Sequence, residues 1–245
     1  MSKVKFLLIV SILAIGLFAI HKDVYAVTLD LSAVPSEGVI NGAIFSRTDI
    51  SGQGTGSFDP FVRLQRNGQG NSGVESGYNT DGTEEFDTKG GKWTHSILVN
   101  DIPLVNINGV DYRQILLDAA EPGQDGNTLT LSKFELYLLG SGNITGYPAN
   151  FPSSALKYDF TGGDYDSILL DDITGNGVAD MFAYIPDSKF TGTDQYLYLY
   201  SQFNDAAGSF EEWGVLTDKT PIPEPASLSL FGLGLLGLLA RRRKI

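Results

Sequence analysis

The last 25 residues constrain this chain more than any other stretch. A stiff Pro223-Glu224-Pro225 leads into an uncharged apolar run, Ala226 to Ala240, which ends in four cations, Arg241, Arg242, Arg243 and Lys244. The proline rings fix φ and keep a helix from extending back through the triplet. The run beyond them reads as a transmembrane helix with no charge to bury. The cations stop it at a water interface, where their alkyl stems snorkel, and they mark that end as cytoplasmic. At ~1.5 Å per residue the run spans about 22 Å against ~30 Å of hydrocarbon, a gap that snorkelling and local thinning cover. The alternative is a buried C-terminal helix of a soluble domain, which would show a polar face.

Pro-Glu-Pro, a short Gly/Leu run and an arginine cluster together resemble the PEP-CTERM sorting signal of bacteria that make exopolysaccharide. The same region is also catalogued as an ice-binding protein C-terminal domain. The resemblance covers Pro221 to Ile245. It implies recognition by exosortase, a membrane protease-transpeptidase, and cleavage near Pro223, Glu224 and Pro225. It speaks to sorting and leaves the activity of the sorted body open.

The amino end fits export. Lys3 and Lys5 precede an apolar run from Phe6 to Ile20, then His21-Lys22-Asp23, then Val24-Tyr25-Ala26. This is the layout of a signal peptide cut after Ala26, with an uncleaved anchor as the alternative. The organisation read from the chain is a signal peptide over 1–26, a body over 27–215, a linker over 216–220 and the sorting signal over 221–245. With both termini apolar, the body must cross the inner membrane and be held at its outer face until it is processed. The implied destination is the surface or surroundings of a Gram-negative-type bacterium.

The body is acidic. The whole chain has 17 Lys and Arg against 29 Asp and Glu. Setting aside three cations and one anion in the first 26 residues, and four cations and one anion in the last 25, leaves 10 against 27, a net charge of −17. Such a surface repels nucleic acid and anionic lipid, and it tolerates cations and neutral glycans. With no Cys there is no disulfide framework, thiolate metal site or thiol nucleophile.

Turn residues break the body into short segments, and no segment keeps a helical period over ten residues. The expected strands are Val39–Phe45, Phe61–Gln65, Trp93–Val99, Leu104–Ile107, Val110–Leu117, Leu129–Leu138 (one strand or a pair), Ser154–Phe160, Ser167–Leu170, Met181–Tyr184 and Tyr196–Gln202. That number of strands predicts an all-β fold, a single β-sandwich or jelly-roll-like domain. Gly77–Gly82, Phe86–His95, Tyr196–Phe203 and Phe210–Trp213 resemble a recurring extracytoplasmic domain of PEP-CTERM proteins. That resemblance implies a β-rich surface or matrix protein and brings no activity with it.

Two stretches are candidate binding sites. Asp172, Thr174, Asn176 and Asp180 place oxygen-bearing side chains at positions 1, 3, 5 and 9 of a loop. Gly177 sits at the sharp turn, and Val178 offers its carbonyl at position 7, the pattern of a Ca²⁺ loop. Position 12 is Ala183, so the bidentate carboxylate is missing, and the alternative is an Asx-turn hairpin that needs no ion. No other cofactor is called for. Tyr196, Tyr198 and Tyr200 share one face of a strand and serve either as packing or as a platform for sugar rings.

Nothing in the sequence favours an enzyme. His95 is the one histidine of the body, no GxSxG elbow accompanies it, and Glu211-Glu212 would point to opposite faces of a strand. The expectation is a non-enzymatic exported surface or matrix protein, sorted by exosortase and associated with exopolysaccharide or biofilm. The alternatives are a carbohydrate-binding module and, behind it, a glycoside hydrolase.

Overall fold

The computed structural model describes residues 27–48, 58–66, 73–120, 128–171 and 179–216. Ala26, the Pro223-Glu224-Pro225 motif, the apolar run and the Arg241–Lys244 cluster lie outside the described residues. Among the described residues no helix is long and apolar enough to cross a membrane.

The body is a sandwich of two sheets. The first has the order β1 (Thr28–Asp30), β11 (Ser167–Leu170), β9 (Leu129–Leu139), β13 (Tyr196–Ala206) and β5 (Gly73–Tyr78). The short strands β10 (Leu156–Tyr158) and β6 (Ile97–Leu98) extend it beside β9 and β13. The second sheet runs β2 (Ser36–Ile40), β3 (Ala43–Arg47), β12 (Met181–Pro186), β8 (Val110–Ala120), β14 (Phe210–Leu216) and β4 (Phe58–Leu64), with β7 (Leu104–Ile107) paired to β8. Pairing is antiparallel except between β1 and β11.

Period-two alternation builds the core. Ile115, Leu117, Ala183, Phe45 and Trp213 point inward from the second sheet and meet Leu136, Phe134, Leu199 and Phe203 from the first. Phe134 touches Trp213 at 5.0 Å and Phe45 edge-on at 5.8 Å, ring to ring across the sandwich. Strand β9 keeps this alternation over eleven residues by a bulge. Lys133 pairs Gln202 and Leu131 pairs Phe203, so Ser132 is the extra residue. That extra residue turns both Leu129 and Leu131 and Phe134, Leu136 and Leu138 toward the core. Leu129–Leu138 is therefore part of one strand.

Several expected strands change. Val39–Phe45 is a hairpin, because Asn41 and Gly42 take φ of 50° and 85°, as a tight turn of positive φ requires. Of Trp93–Val99 only Ile97 and Leu98 are strand. Strand β14 continues through Leu216, which is buried and pairs with Phe58, so the sheet reaches into the stretch expected to be linker.

Candidate functional site

The tyrosine stripe lies on the outer face of the first sheet and is roofed by residues 141–156. Tyr198 is wholly buried and Tyr200 is 4% exposed, whereas Tyr196 is half-buried. The Tyr198 hydroxyl donates to the Ser141 carbonyl at 2.7 Å and accepts from the Ile144 N–H at 2.8 Å. Phe151 meets Tyr198 and Tyr78 edge-on at 5.3 and 5.1 Å. Tyr147 covers Tyr200 with its ring. Two of the three predicted tyrosines are thus packing residues of a second, smaller core and present no ring face to a ligand.

Two carboxylates anchor this roof. Glu135 Oε2 accepts hydrogen bonds from the Tyr137 and Tyr147 hydroxyls, both at 2.7 Å. Glu85 Oε2 accepts from the Tyr78 hydroxyl and from the Gly146 N–H, the latter at 2.8 Å. Burial first, and the neighbouring carboxylate second, push the Tyr78, Tyr137 and Tyr147 hydroxyls well above the usual tyrosine range. The Tyr78 hydrogen bond holds Glu85 below the usual carboxylate range.

Of the candidate Ca²⁺ loop, Asp172, Thr174, Asn176 and Val178 lie outside the described residues and Asp180 lies within them. Asp180 is tied to β8: its N–H donates to the Leu117 carbonyl at 2.7 Å, and its Oδ2 accepts from the Ala119 N–H at 2.8 Å. Burial pushes its carboxyl up to about 7, against the pull of that N–H. Ala183 is a wholly buried core residue of β12. Among the described residues no three His, Cys, Asp or Glu side chains are grouped to hold a metal ion.

A cleft that sequence reasoning missed lies on the outer face of the second sheet. Asp118 on β8, Glu212 on β14 and Arg63 on β4 stand in one row, because Glu212 pairs with Asp118 on one side and with Arg63 on the other. Arg63 Nε donates to Glu212 Oε1 in an ion pair whose side chains are 17% and 13% exposed. Its guanidinium lies over two rings, 4.2 Å from the Trp93 centroid and 4.5 Å from that of Phe210. Lys92 Nζ sits 3.8 Å from the Trp93 centroid. Thr94 Oγ1 accepts from the Arg63 backbone N–H at 3.1 Å and holds the Trp93 segment along β4. Arg63, Asp118, Phe210 and Glu212 enclose a pocket of about 200 Å³. Glu211, the neighbour of Glu212, points into the sandwich and is wholly buried, so adjacent glutamates do take opposite faces. The only sequence signal for this cleft was that Lys92-Trp93 and Phe210–Glu212 fall within stretches resembling the recurring extracytoplasmic domain.

An acidic two-sheet β body joined to a C-terminal sorting segment is the class of protein these features define. Residues 221–244 match the PEP-CTERM protein-sorting motif, so the chain carries that sorting domain. The motif indicates an exported cell-surface protein whose sorting depends on exosortase. No curated protein and no solved structure matches the chain.

Proposed function

We propose that this is a non-enzymatic protein of the extracellular matrix, released to the cell surface by exosortase and retained there with exopolysaccharide. The observation that carries the reading is the sorting motif at 221–244, joined to a folded all-β body. Before processing, the short apolar run holds the chain in the inner membrane, with Arg241–Lys244 on the cytoplasmic side. Pro223-Glu224-Pro225 then lies at the outer interface, within reach of a membrane-embedded protease. After processing the body leaves without the apolar run, and its net charge of −17 keeps it soluble and off anionic lipid.

Fractionation of cells and matrix tests this reading. The protein should be found with the polysaccharide matrix in cells that have exosortase and in the membrane fraction in cells that lack it. Distribution independent of both exosortase and matrix polysaccharide would overturn it.

A further inference from the structure

The cleft on the second sheet has the makings of a ligand site that the sorting reading does not use. Arg63 has three side-chain contacts, with Glu212 at Nε and with the Trp93 and Phe210 rings. Each of these contacts is modest on its own. Together they add little stability, but they fix the plane and direction of the guanidinium. Nη1 and Nη2 make no hydrogen bond among the described residues, and neither does the second oxygen of Glu212. A fixed pair of donors therefore adjoins the free oxygen of the Glu212 carboxylate, with the apolar ring of Phe210 on the same rim.

We propose that this cleft binds a neutral sugar residue, with Arg63 and Glu212 reading two neighbouring hydroxyls and Phe210 packing against the C–H face. The proposal rests on the matrix reading above and names the chemistry by which the body would hold the polysaccharide. A hydroxyl both donates and accepts, so a vicinal pair satisfies the guanidinium and the Glu212 carboxylate at once. An acidic sugar would also meet the guanidinium, but it would face two carboxylates in the pocket and the net negative body. The pocket is below the ~300–1,000 Å³ of sites for drug-sized ligands and suits one sugar ring.

The two tryptophans of the chain supply the test. Trp93 flanks the cleft, whereas Trp213 is wholly buried and donates its Nε1–H to Ser201 Oγ at 3.0 Å. Neutral gluco-, galacto- and manno-oligosaccharides and an oligogalacturonate are titrated into the full-length chain in detergent micelles, and the two indole N–H signals are followed by NMR. The proposal predicts a saturable shift of the Trp93 signal with a neutral oligosaccharide while the Trp213 signal stays in place. E212Q should weaken that response roughly tenfold or more, as loss of a charge-assisted hydrogen bond implies. If E212Q fails to fold, R63Q is read in the same way. No saturable shift with any neutral oligosaccharide, a response to the oligogalacturonate alone, or binding unaffected by E212Q and R63Q would overturn it. These outcomes are independent of exosortase, so failure here leaves the sorting reading standing.

Discussion

Tyr147 lies flat on Tyr200, with ring centroids 4.0 Å apart and planes 11° apart. The stack fastens the 141–156 roof to β13, and the Tyr147 hydroxyl fastens it again to Glu135. Y147A should cost about 2–4 kcal/mol in urea unfolding, because a half-buried ring and its hydrogen bond go together. Y147F should cost only about 1 kcal/mol, since the stack stays. Equal costs for the two variants would show that the ring does not hold the roof.

The buried Trp213 N–H has one partner, Ser201 Oγ. Removing that oxygen strands a donor in the core, which costs about 1–3 kcal/mol. S201A should therefore lower the unfolding free energy by that amount, and S201T should restore part of it if the larger side chain is accommodated. An unchanged midpoint for S201A would mean that the indole finds another acceptor.

The alternation of apolar residues made much of the fold legible. Leu104–Ile107 and Ser167–Leu170 are strands at the expected bounds. Val39–Phe45 looks β-rich, but its Asn41-Gly42 pair makes it a hairpin. Strand β14 was hidden because glutamates interrupt its apolar pattern. Glu211 is buried, and Glu212 is explained only by Arg63, far away in sequence. The tyrosine face was legible as a face. What roofs it was not, because the cover comes from a loop whose packing no local period encodes. The cleft was illegible for the same reason, since its walls come from three strands brought together by the fold.

Burial holds the hydroxyls of Tyr78, Tyr137, Tyr147, Tyr158, Tyr198 and Tyr200 above the ordinary range, and that of Tyr184 at about 12. The unfolded chain ionises its tyrosines near pH ~10, so above that pH the unfolded state holds fewer protons than the folded one. Stability is unaffected below about pH 10 by these groups and falls as pH rises beyond it. Spectrophotometric titration should show these seven tyrosines silent while the fold persists, then ionising together as it unfolds in alkali. Independent ionisation near pH ~10 with the far-UV signal intact would contradict the packing described for them.

The most direct test of the sorting account is the intact mass of the surface-exposed protein from cells with and without exosortase. With the enzyme present, exosortase-dependent sorting predicts a mature chain cut near Pro223-Glu224-Pro225 that lacks Arg241–Lys244. Without it, the mass should retain that cluster. A mature form that still contains Arg241–Lys244 in the presence of active exosortase would contradict the account.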